Sequence, residues 1–79
     1  MVRAYVLVKV EAGRDEEVHT EIANLPNIRH ANACYGIYDL IIDVELPKIE
    51  ELDAWVFEKM RKVPGVKETA TIIISKVIV

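Results

Sequence analysis

The hydrophobic residues of this chain change period several times, and each change marks an element. Val2, Ala4, Val6, Val8 and Val10 alternate with Arg3, Tyr5, Leu7 and Lys9. Period two with β-branched enrichment predicts a strand, which Gly13 ends. Over residues 14–25 the spacing becomes helical, with Val18, Ile22 and Leu25 on one stripe. Asp15, Glu16 and Glu17 suit the positive end of that helix, and Asn24 and Pro26 close it. Residues 28–35 read as a weaker strand, poor in β-branched residues. Gly36 turns the chain, and Tyr38, Leu40, Ile42 and Val44 then line one face of a stronger strand. Pro47 opens a second helix whose stripe is Ile49, Leu52, Val56, Met60 and Val63, flanked by Trp55 and Phe57. Pro64-Gly65 stops it, and a final strand is expected over 67–77.

The order βαββαβ, with right-handed crossovers, predicts an α+β fold: a ferredoxin-like plait with a four-stranded antiparallel sheet and both helices on one face. Alternation assigns Ala4, Val6, Val8, Leu40, Ile42, Val44, Ala70, Ile72 and Ile74 to the helix side. It leaves Tyr5, Leu7, Ala31, Ala33, Ile37, Ile41 and Ile73 on the other. A half-exposed antiparallel sheet is normally polar outward. An outward face this apolar amounts to a patch of roughly several hundred Å², the mark of an interface. Dimerisation of sheet against sheet is therefore expected through Tyr5, Leu7, Ile41 and Ile73, with Arg3, Lys9, Asp43 and Glu45 at the rim.

Length and composition sharpen this picture. Seventy-nine residues hold a single domain, 1–79, with 52% apolar and 29% charged residues. No apolar run approaches the roughly 20 residues of a membrane-spanning helix. The strand pattern starts directly after Met1, so neither a targeting segment nor a membrane partner is expected, and the expected location is cytoplasmic. A lone cysteine, Cys34, excludes an internal disulfide. A net charge of −3 argues against a domain that grips DNA through its phosphates. Domains near this size often rely on disulfides, metals or self-association, and only the last remains open here.

Little in the chain demands catalysis. His19 and His30 have no partners at metal-ligand spacing, so no metal or other cofactor is expected. Cys34 has no nearby cation in sequence to lower its pKa and reads as a small filler. Asp39 and Asp43 lie about 13 Å apart along a strand, too far for an acid–base pair on one bond. The acids Glu50, Glu51 and Asp53 suit a solvated first helical turn. No catalytic residue is assigned. Two constellations remain: Tyr35-Gly36-Ile37-Tyr38-Asp39 at a sheet edge, and Thr69-Ala70-Thr71 on the last strand. They are either a hairpin glycine and β-formers, or the halves of a site for a small zwitterion. In the second case Asp39 would meet an ammonium group, and turn N–H groups with threonine hydroxyls would meet a carboxylate.

Read in order, these residues resemble the effector domain of Lrp/AsnC transcription regulators, also called the regulation-of-amino-acid-metabolism domain. The resemblance runs through Ala4-Tyr5-Val6-Leu7-Val8, Gly13, Glu17-Val18 and Leu25-Pro26. It continues in Gly36-Ile37-Tyr38-Asp39-Leu40, Leu52-Asp53-Ala54-Trp55-Val56, Pro64-Gly65-Val66 and Thr69-Ala70-Thr71. It implies a homodimer that assembles into a ring such as an octamer, with a free amino acid bound between dimers. The implied effector contacts are Tyr35, Gly36, Ile37, Tyr38, Asp39, Thr69 and Thr71. Tyr35 and Ile37 flank the glycine where the family often has small or polar residues, implying a bulkier, more apolar pocket mouth. The chain resembles a stand-alone form of the domain without a helix-turn-helix, so specific DNA binding is not expected. Full-length Lrp/AsnC paralogues are candidate partners. A small dimeric α+β barrel enzyme and a purely structural oligomerisation domain are the alternative functions.

Overall fold

The computed structural model describes residues 1–79. Its elements are β1 (Val2–Val10), α1 (Asp15–Ala23), β2 (Ile28–Ala33), β3 (Leu40–Leu46), α2 (Ile49–Trp55) and β4 (Val66–Ile73), with a π-helical turn, Val56–Met60, continuing α2. The strands lie in the order β2-β3-β1-β4, and each neighbouring pair is antiparallel. This is the ferredoxin-like plait expected from the pattern.

The core follows from the alternation of β1. Ala4, Val6 and Val8 are fully buried, and the register places them beside Val44, Ile42 and Leu40 of β3. Val18 and Ile22 of α1, with Leu52, Trp55 and Met60, close over that row. Trp55 belongs to the core rather than to its flank, and its indole Nε1–H donates to the Pro26 carbonyl at 2.8 Å. The widened turn after it is closed by a bond from the Arg61 N–H to the Val56 carbonyl at 2.8 Å, five residues apart. It holds Met60 in the core with Trp55 and Val56, while Phe57 and Ile49 remain exposed.

The register reverses part of the sequence assignment. Across β1, Tyr5 pairs with Ile72 and Leu7 with Ala70, whereas Ala4 pairs with Ile73, Val6 with Thr71 and Val8 with Thr69. Paired residues share a face of the sheet. Ile73 therefore lies on the helix side with both threonines, and Ile72 replaces it on the bare face. Ile74, whose N–H donates to the Arg3 carbonyl, follows Ile72. In β2, Ala31 and Ala33 pair with Ile42 and Leu40 and so also face the helices. Ile37 belongs to no strand. Elements are also shorter than the pattern suggests: β2 stops at Ala33 and β4 at Ile73.

On the bare face Asp43 is buried and its Oδ2 accepts from Arg3 Nη2 at 3.1 Å, with His30 Nδ1 at 3.5 Å. The two buried side-chain atoms without a partner, Arg3 Nε and Asp43 Oδ1, belong to this same ion pair.

Gly65 joins the helical layer to β4 at φ +96, with its carbonyl accepting from Glu11 N–H at 2.9 Å. A Cβ there would sit 2.7 Å from Val18 Cγ2 and 3.2 Å from Arg14 Cβ. Overpacking and a left-handed backbone then act together, so Gly65→Ala should lose about 1–3 kcal/mol in urea unfolding. Gly13→Ala, with nothing within 4 Å of its added methyl group, should lose less, from backbone strain alone.

Candidate functional site

The loop between β2 and β3 is built by backbone bonds rather than by a hydrophobic anchor. The Cys34 N–H donates to the Asp39 carbonyl at 2.9 Å, and the Cys34 thiol lies 3.1 Å from the Tyr38 carbonyl. The sequence reading of Cys34 as a filler misses this second role. Gly36 occupies φ +141, a conformation that glycine adopts at least cost. Tyr35 and Ile37 on either side of it are solvent-exposed.

Asp39 fastens the loop to the centre of the sheet. Its N–H donates to the Val8 carbonyl at 2.8 Å, and its Oδ2 accepts the Val10 N–H at 2.8 Å. Val10 lies where the β1–β4 register shifts, so the carboxylate satisfies an N–H beside the irregularity. Asp39 is thus a structural bracket as well as a candidate contact.

Beside this loop lies a cleft of about 340 Å³ lined by Asp15, His19, Ala33, Cys34, Tyr35 and Asp39. An apolar cleft of about 240 Å³, lined by Ile22, Ala23, Ala31, Asn32 and Leu40, shares His19 and Ala33 with it. Asp15 and His19 were not among the expected contacts. Topology is the signal that finds them: α1 begins five residues after Val10, the residue that Asp39 holds.

The remaining expected contacts lie elsewhere. Tyr38 points toward Lys9, whose Nζ is 5.7 Å from the ring centroid and 3.7 Å from Glu68. Thr69 lines a third cleft of about 300 Å³ with Arg61, Val66, Lys67 and Glu68. Thr71 is exposed on β4 and lines none of the three. Strand β1 separates Thr69 from the loop. One chain therefore brings Tyr35 and Asp39 together but does not bring the threonines to them.

The two clefts differ in charge. Asp15 and Asp39 line the loop cleft, which has no lysine or arginine in its lining, whereas the cleft beside Thr69 carries both signs, Arg61 and Lys67 with Glu68. Near the first, Arg14 is engaged by Glu17 and Glu11. The hydrogen bond from Arg14 holds the Glu17 carboxyl below its ordinary range, and the same bond raises the guanidinium. The bond favours the ionised carboxylate, so what it adds to stability is present above the ordinary glutamate range and is lost as pH falls through the lowered value.

Residues 3–79 match the model of the Lrp/AsnC ligand binding domain. The chain belongs to that family. It is 34% identical over 73 residues to the HTH-type transcriptional regulator FL11 of Pyrococcus horikoshii, covering 92% of this chain and 48% of FL11. It thus spans about half the length of the HTH-type regulators it matches. The crystal structure of FFRP-DM1 superimposes with a TM-score of 0.88 at 38% identity, covering 94% of this chain and 99% of that one. The transcriptional regulator NMB0573 of Neisseria meningitidis, crystallised as a complex with L-Met, shares the fold at a TM-score of 0.89 and 16% identity, covering 98% of this chain and 51% of its own. No helix is long and apolar enough to cross a membrane.

The bracket at Asp39 has a measurable consequence. Asp39→Asn keeps an oxygen acceptor for Val10 and should fold with little loss of stability. Asp39→Ala leaves that N–H without its partner and should cost about 1–3 kcal/mol in chemical denaturation.

Proposed function

We propose that this domain is a non-enzymatic receptor for a free amino acid, completed by self-association. The observation that carries the reading is the division of clefts within a ligand-binding domain: an acidic loop cleft, and one beside Thr69 where Arg61 and Lys67 stand with Glu68. A zwitterion needs an anion for its ammonium group and donors for its carboxylate. Asp39, Asp15 and the 35–38 turn supply the first half. Thr69, Arg61 and Lys67 of a neighbouring copy supply the second, with Thr71 at the margin. Tyr35 and Ile37 wall the mouth, and Tyr38 supports the turn through Lys9.

Self-association begins, in this reading, with a homodimer through the bare face of the sheet. Tyr5, Leu7 and Ile41, with Ile72 in place of Ile73, form its apolar part, beside the Arg3–Asp43 bridge. Such dimers assemble into a ring, of which an octamer is one closed form. A ring element of this kind transmits amino-acid levels to transcription through full-length Lrp/AsnC paralogues in the cytoplasm, without reading a DNA sequence through residues 1–79. Among curated relatives, FL11 is named a transcriptional regulator. NMB0573, which shares this fold over 51% of its chain, was crystallised as a complex with L-Met.

A thermal-shift screen of the twenty amino acids at millimolar concentration should find a subset that raises the melting temperature, since a ligand of the folded state stabilises by mass action. A uniform absence of shift would favour a purely structural domain. For a responsive amino acid, calorimetry on Asp39→Asn should show binding weakened by roughly 1.5–3 kcal/mol, the scale of a hydrogen bond to a charged group. Unchanged affinity would move the ligand away from the loop.

The dimer is tested separately. Leu7→Asp places an unpaired charge in the proposed interface, at a cost on the order of a few kcal/mol. Light scattering at micromolar concentration should find the variant monomeric, and a persistent dimer would refute this interface.

A further inference from the structure

The helical layer does not reach the edge of the sheet at β2. Ala31 and Ala33 pair with Ile42 and Leu40 of β3, so all four face the helices. Ile42 and Leu40 are buried beneath that layer, whereas both alanines are exposed. A strip of apolar sheet is thus left open beside α1. Ile22 and Ala23 of α1 wall it, the two alanines floor it, and Leu40 completes its apolar lining. On β2 only methyl groups point into the strip, which keeps about 240 Å³ open. One water takes roughly 30 Å³ of liquid volume, so a side chain of several carbons fits.

Two properties match this volume to one end of a small ligand. Its lining holds no carboxylate, lysine or arginine, so a charged group placed there would lose water without gaining a partner. It also runs into the loop cleft, which carries Asp15 and Asp39 and shares His19 and Ala33 with it. A charged compartment and an uncharged one therefore adjoin within a single copy.

The geometry points to a subsite for the side chain of the effector. With its ammonium group at the acidic loop cleft, the amino acid lays an apolar side chain along α1 and over Ala31 and Ala33. Such a side chain removes from water the apolar surface that α1 leaves bare. The inference rests on the amino-acid receptor proposed above and adds the class of ligand: an uncharged hydrocarbon or thioether side chain of the size of leucine or methionine.

The test is calorimetry of the unaltered chain with alanine, leucine, methionine, glutamine, aspartate and lysine. Leucine or methionine should bind at least roughly tenfold more tightly than alanine, the lower end of what a methylene gains in an apolar pocket. Glutamine, aspartate and lysine should bind no more tightly than alanine. Ala23→Leu and Ala31→Leu fill the strip from different elements, and both positions are exposed, so the fold has room for them. Each should weaken leucine binding by roughly tenfold or more and leave alanine binding within about twofold. In methyl spectra, added leucine should shift the signals of Ile22, Ala31 and Ala33. If a variant loses its far-UV spectrum, the ligand series and the methyl shifts on the unaltered chain still decide. Leucine binding unchanged in both folded variants, leucine shifts confined to other methyl groups, or a preference for a polar or charged side chain would overturn the subsite and leave the receptor standing. Silence of all twenty amino acids in the thermal-shift screen would instead remove the receptor reading, and the subsite with it.

Discussion

Strand β1 is hydrogen-bonded on both sides, to β3 and to β4, and the face assigned to nearly every other sheet residue is inherited from it. Its small β-branched inner residues fill the core, and its outer residues, Arg3, Tyr5, Leu7 and Lys9, run down the middle of the uncovered face. Because a strand has only two faces, the same alternation that builds the core also determines what the molecule presents on its other side. A core and an apolar uncovered face are two readings of one nine-residue segment.

That dependence explains which parts of the fold were legible. β1 and β3 each have one apolar phase stronger than the other, so their inner residues can be read from the sequence alone. β4 lacks that asymmetry. Ile72, Ile73 and Ile74 are apolar in both phases, and the irregularity between Lys9 and Val10 lies just where the ladder to β4 begins. Only pairing with β1 decides, and it places Ile73 toward the helices. β2 is short of bulky residues, so its alanines carry no usable phase. The end of α2 fails for a different reason: a single widened turn changes the helical period, and Trp55 moves from the flank of the stripe into the core.

The candidate site was half legible. A glycine turn followed by Tyr38-Asp39 is visible as a motif, and the structure places that loop against β1 through Asp39. The sequence could not show that the carboxylate also serves a backbone N–H, nor that Asp15 and His19 of α1 border the same cleft, because both facts depend on where one strand ends relative to a helix distant from the loop in sequence. The separation of the threonines from the loop follows from strand order, which places β1 between them and which the expected plait already implied.

The order β2-β3-β1-β4 also bears on how the chain acquires its structure. Val6 must find Ile42 on one side and Thr71, almost at the other end of the chain, on the other. Of the four strands β1 is synthesised first and its second neighbour last, so the central strand stays half-templated until β4 is made. Contacts of such sequence separation slow folding, and an unpaired apolar strand is vulnerable to aggregation while it waits. The β2–β3 pair and α2 can form early from nearby residues. Closure of the sheet is left to β4, the strand farthest in sequence from its partner β1.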